Sequence, residues 1–174
     1  MASRILIAGI GNIFLGDDGF GPEVLRHVLQ RVGGSGLAGP DEVRATDYGI
    51  GGMHLAYDLL EDWTALVLVD AIPNRGSPGT VHVFEADHSP PDCPAGLDAH
   101  GMDPATVFAS LRALGGAPPR TIVVGCEVAD VDEGIGLSDA VQAAVPEAVS
   151  AVESAVAMLR GSSQLGADDS LRGV

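Results

Sequence analysis

The chain has 174 residues, a formal charge of −15, 46% hydrophobic and only 4% aromatic residues, and its nine basic residues are all arginine. Without lysine there is no Schiff-base lysine, no lysine general base and no P-loop lysine on a phosphate. The acidic excess argues against nucleic acid and anionic membrane surfaces, and the length fits one domain that buries roughly 70% of its unfolded surface.

The N-terminal MASRILIAGIGN holds one arginine and a short apolar run. It is too short for a secretory core, and no stretch approaches the roughly 18 apolar residues of a membrane span, so a cytoplasmic protein is expected. Arg4 to Gly9 reads as a strand buried on both faces. Gly21-Pro22 opens a helix with Val24, Leu25, Val28, Leu29 and Val32 at helical spacing, ended by Gly33-Gly34. A second strand is expected near Glu42 to Thr46, and a short helix over Met53 to Leu60. Ala65 to Ile72 (ALVLVDAI) is an apolar strand carrying one aspartate. After the Gly76 to Gly79 turn, Thr80 to Phe84 alternates as a more exposed strand, antiparallel because the connection is short. Ser89 to Gly96 is a proline-rich loop. Asp103-Pro104 starts a helix through Leu114, and Arg120 to Gly125 is another buried strand. Ser138 caps a helical segment reaching Arg160, which Pro146 should kink or divide. Residues 161–174 read as a disordered tail behind a single domain over residues 1–160. Strands alternating with helices predict an α/β layered fold with a mostly parallel sheet.

In such sheets the working groups stand at the carboxyl ends of the strands. Those positions hold Asp17 and Asp18 in GIGNIFLGDDGFG, Asp70 at the end of the third strand, His100 after the fourth, and Cys126-Glu127 after the fifth. A dinucleotide fingerprint fails, because Phe14 stands where GxGxxG needs its third glycine. Serine-hydrolase elbows and HExxH helices are absent. Two carboxylates and an imidazole in one crevice suit zinc, nickel or a similar divalent ion with a position left open. Asp70 has the best case, since a carboxylate closing so apolar a run needs a partner or an ion, though a bracing role competes. Acidic residues in glycine-rich loops also form turns, so one of Asp17 and Asp18 should point inward and the other cap or face water. His27, His54, His82 and His88 have no recommending spacing, and Glu127 reads as structural. Cys93 and Cys126 are too few for a disulfide framework, and Cys126 is either a buried thiol or a nucleophile beside the crevice.

Assembled, these residues resemble the maturation endopeptidases of nickel-iron hydrogenases. The resemblance runs from about Arg4 to Leu159 through GIGNIFLGDDGFGPEV, VDAI, PGTVHVF, DAHGM and EGIGLSDAV. It implies a three-layer α/β/α fold with a five-stranded sheet. It further implies removal of a C-terminal peptide from the hydrogenase large-subunit precursor after nickel insertion, by a monomer. The family's metal-contacting positions fall on Asp18, Asp70 and His100, where nickel arrives with the precursor and zinc or another divalent ion is a surrogate. The family's recognition loop falls on DYGIGGM, with Asp47, Gly49, Gly51 and Gly52 matching and Tyr48 and Ile50 departing from the usual small and hydroxyl residues. Two other readings compete: a self-contained zinc metallopeptidase or amidohydrolase, and a metal-sensing chaperone that binds the precursor without cutting it.

Overall fold

Runs of apolar residues bounded by polar or glycine-rich segments become strands when both faces are covered, and three such runs build the centre of this molecule. The computed structural model describes residues 2–32, 41–88 and 103–168. In chain order the strands are β1 (Arg4–Ile10), β2 (Glu42–Gly49), β3 (Ala65–Ile72), β4 (Val81–Glu85) and β5 (Arg120–Glu127). The helices are α1 (Phe20–Val32), α2 (Gly52–Asp58), α3 (Pro104–Ala113) and α4 (Asp139–Asp168), with a 3-10 turn at Gly16–Gly19 ahead of α1. The sheet order is β2-β1-β3-β5-β4, and β4 alone is antiparallel, as its short connection predicts.

Alternation along the strands separates two apolar layers. Ile5, Ile7, Val67, Val69, Val124 and Cys126 face α1 and α4, meeting Val24, Leu25, Val145 and Val149. Leu6, Ala8, Ile10, Leu66, Leu68 and Val123 face α2 and α3, meeting Leu55, Leu59, Val107 and Leu111. The fold is therefore helices, sheet, helices, the three-layer α/β/α arrangement. No helix among the described residues is long and apolar enough to cross a membrane.

The C-terminal helix departs from its expected form. It is one continuous element through Pro146, and it runs on past Arg160 to Asp168. Pro146 removes one N–H from the ladder, but Val141, Ala144, Val145, Ala148, Val149, Val152, Ala155 and Leu159 are all buried in the same layer. Packing on both sides of the proline holds the helix in register. Beyond it, extension costs little, and the Ser162 hydroxyl donates to the Met158 carbonyl at 3.1 Å. Helix α1 also starts earlier than expected, at Phe20, because the 3-10 turn leads straight into it.

Candidate functional site

Strand order decides where a site can form. β1 and β3 are parallel neighbours, but the chain leaves β1 through α1 toward β2 at one edge, and leaves β3 toward β4 at the other. A crevice opens outside the carboxyl ends of two strands whose connections diverge in this way. The loop after β1 delivers Asp18 to it, and β3 itself delivers Asp70.

Glycines make the close approach possible. A methyl at Gly21 would collide with the carbonyl oxygens of Ile10 and Val69, so the start of α1 can sit on the ends of β1 and β3 only without a side chain. At Gly11, φ is +146° and a methyl would strike the Asp18 carbonyl. The glycine spacing of GIGNIFLGDDGFG is thus a packing requirement that folds the Asp18 turn back over the strand ends.

The two adjacent aspartates have different duties. Asp17 is fully buried. Its Oδ2 accepts from Ala129 N at 2.8 Å, Asp130 N at 3.0 Å and the Ser138 hydroxyl at 2.9 Å, and its Oδ1 accepts from Ser138 N at 2.7 Å. Burial by itself would push this carboxyl up, but the amides of Asp130, Ser138 and Ala129 outweigh it and hold it below the usual carboxylate value. Asp17 welds the β5–α4 loop to the β1–α1 loop, and Ser138 spends its hydroxyl there. Asp18 turns the other way and lines the pocket, with Oδ2 accepting Asn12 N at 2.8 Å.

The pocket encloses about 790 Å³. Asp70 is 8% exposed at its base. Burial, then the negative charges of Asp18 and Asp103, push the Asp70 carboxyl well above its ordinary value, against one favourable bond from Ala71 N. Ile72, Phe84, Phe108 and Val123 form an apolar wall, and Asp87 and Asp103 stand at the far rim. Asp103 caps α3, accepting from Ala105 N at 3.1 Å as its position before Pro104 predicts, and its place on the rim is additional. Sequence reasoning assigned no role to Asn12, Asp87 or Asp103 in this pocket. The one available signal for Asp103 was its place three residues after His100. No arginine or histidine is among the described lining residues, and the Asp70 carboxyl faces the negative charges of Asp18 and Asp103. A cation would relieve that arrangement, so the donor set fits a divalent ion. Among the described residues no group of three or more His, Cys, Asp or Glu is placed to hold a metal. His100 lies outside the described residues, as does Cys93.

The remaining candidates fall elsewhere. Cys126 pairs with Ala71 in the sheet and is fully buried against α1 and α4, on the face opposite Asp70. Burial pushes its thiol up to about 11, so it is a packing residue and no nucleophile. Glu127 is a brace, accepting from Arg75 N at 2.7 Å and lying 2.8 Å from His82 Nε2. In the β2–α2 loop, Asp47 Oδ1 accepts from Gly49 N at 2.9 Å, and Gly49 takes a φ of +53°. Gly51 N donates to Tyr48 O at 2.7 Å, and Gly52 is buried at the start of α2. The loop is tied to the Asp18 loop by Gly11 N donating to Gly49 O at 2.9 Å. Tyr48 donates to Asp58 at 2.6 Å, and burial with that carboxylate pushes its hydroxyl up to about 12. Ile50 projects 67% exposed, and Asp47 lines a second groove of about 480 Å³ with Ile13, Arg26, Leu29 and Ile135.

Comparison with known proteins bears on this arrangement. The profile described as hydrogenase maturation protease matches residues 35–155. The chain is 30% identical over 154 residues to the hydrogenase 2 maturation protease of Escherichia coli, covering 88% of this chain and 90% of that protein. It is 31% identical over 161 residues to the hydrogenase expression/formation protein HupD of Rhizobium leguminosarum, covering 91% and 75%. Among solved structures it is similar to the hydrogenase maturating endopeptidase HybD of E. coli, with a TM-score of 0.66 at 29% identity over 91% of this chain and 93% of that one. The hydrogenase 2 maturation peptidase of a Thaumarchaeota archaeon aligns with a TM-score of 0.61 at 27% identity, covering 88% and 98%. With a five-stranded α/β/α fold and a family match over most of its length, the chain belongs to the hydrogenase maturation protease family and is a peptidase.

Proposed function

We propose that this protein removes the C-terminal extension of a nickel-iron hydrogenase large-subunit precursor after nickel insertion. Asp18 and Asp70, completed by His100, engage the nickel carried by that substrate. The observation that carries the reading is the pair of pocket carboxylates at the β1/β3 divergence, one buried and pushed toward its neutral form, with no described cation beside them. A pocket of this kind is incomplete until positive charge enters with the substrate. No serine or cysteine is among its described lining residues. Cleavage then requires a water whose attack is assisted by a carboxylate or by the substrate's metal. A protein substrate also suits the exposed apolar side chains of Ile13, Phe14, Ile50 and Ile135, two of which, Ile13 and Ile135, line the second groove. The Asp47 to Met53 loop, presenting Ile50, is the recognition element in this reading.

Incubation of the purified protein with precursor, with and without nickel, followed by mass spectrometry of the precursor, tests this. Loss of a short C-terminal peptide only with nickel is expected, and Asp18→Ala, Asp70→Ala and His100→Ala should each abolish it. Full processing by Asp70→Ala sinks the assignment. Stoichiometric zinc in the purified protein, with processing independent of nickel, favours a self-contained metallopeptidase instead. Precursor binding without cleavage favours a chaperone.

A further inference from the structure

The polar side chains lining the described pocket are Asn12 and four aspartates, Asp18, Asp70, Asp87 and Asp103. Four of the five can only accept hydrogen bonds when ionised, so the side-chain amide of Asn12 is the sole side-chain N–H donor among them. Its orientation is set by the loop. Phe14 N donates to Asn12 Oδ1 at 2.9 Å, which commits the oxygen and identifies the other terminal atom of the planar amide as Nδ2. No described residue accepts from Nδ2. Asn12 N in turn donates to Asp18 Oδ2 at 2.8 Å, so the amide and the Asp18 carboxylate are held as one unit.

We propose that Asn12 is a catalytic residue whose Nδ2–H donates to the carbonyl oxygen of the scissile peptide bond. The proposal rests on the reading of this pocket as the peptidase site. In hydrolysis, a water oxygen bonds to the carbonyl carbon and the C=O π pair moves onto the carbonyl oxygen. A carboxylate takes a proton from the water and passes it to the leaving nitrogen as the C–N bond breaks. The products are a carboxylic acid and an amine. The intermediate oxyanion forms in a pocket lined by acidic side chains, where its charge is repelled from several directions. A preoriented N–H donor at that oxygen acts on the transition state more than on the neutral substrate.

The test is the kcat and KM of nickel-dependent precursor processing by Asn12→Asp and Asn12→Ala, with Asp70→Ala alongside. Asn12→Asp keeps an oxygen for Phe14 N and so keeps the loop brace, but it removes the donor. Asn12→Ala removes the donor without adding charge. Both should lose about 10²–10³-fold in kcat, the loss seen on removing one oxyanion donor, with KM changed by less than about tenfold. If Asn12 only braces the loop, Asn12→Ala melts lower and the folded Asn12→Asp cleaves normally, and the proposal is overturned. Near-normal kcat in both variants beside an inactive Asp70→Ala overturns it as well and leaves the site reading standing. Normal processing by Asp70→Ala removes the pocket from the reaction, and Asn12 with it.

Discussion

Replacing Asp17 by alanine tests the separation of duties between the two neighbouring aspartates. The carboxylate is fully buried and accepts three backbone amides and one hydroxyl at 2.7–3.0 Å. Alanine leaves those donors without an acceptor in the interior. Hydrogen bonds to a charged group contribute about 1.5–3 kcal/mol each when isolated, but four on one carboxylate share its charge, and water or loop relaxation recovers part of the loss. A net cost of about 3–5 kcal/mol follows. For a chain of this size that lowers Tm by roughly 6–20 °C. Urea unfolding followed by circular dichroism measures it, with a reduced midpoint and an unchanged m-value.

The pH dependence supplies an independent check. The folded-state value of Asp17 lies below the ordinary 3.8. Its stabilisation is therefore complete above that value and is lost as pH falls through the lowered one. The difference between wild type and Asp17→Ala should be constant near neutrality and shrink only below about pH 4. A difference under about 1 kcal/mol at pH 7 would refute the brace.

Two further substitutions have signs set by geometry. Asp70→Asn should abolish processing yet raise the melting temperature at pH 7, because a carboxyl that burial, Asp18 and Asp103 hold against ionisation is replaced by an amide that is neutral at every pH. The folded Asp70 value lies above 3.8, so wild-type stability falls as pH rises through the window between the two; the gain should vanish near pH 3, and a variant less stable at pH 7 contradicts the burial account. Gly21→Ala lies in a helix, where alanine ordinarily gains about 0.5–1 kcal/mol over glycine. The collision with Ile10 and Val69 carbonyls reverses that, and a loss of about 2–4 kcal/mol in thermal or urea unfolding is expected; a more stable variant removes the close approach.

Much of the fold was open to reading because each element's signal is local. ALVLVDAI can be so uniformly apolar only if both faces are covered, and the turn at Gly76 to Gly79 is too short for a parallel crossover, which makes β4 antiparallel. The paired acids of the Asp17-Asp18 turn, and the need for one of them to face inward, were likewise visible. Which one does so was not, since that depends on the 3-10 turn and on Ala129, Asp130 and Ser138, more than a hundred residues away. The uninterrupted course of α4 through Pro146 is similar, because burial along one face overrides a local breaking signal. Cys126 stands one position and Glu127 two from Gly125, which pairs with Asp70, yet only the register assigns the thiol to the opposite face.

The charge of −15 argued against nucleic acid and anionic membranes from composition alone, and the GIGNIFLGDDGFG spacing marked one loop as special from the order of residues. The tertiary structure decided that β1 lies next to β3 while their chains depart toward opposite edges. That placement, a long-range consequence of layer packing, is what brings Asp18 and Asp70 into one crevice from positions 52 residues apart in the chain.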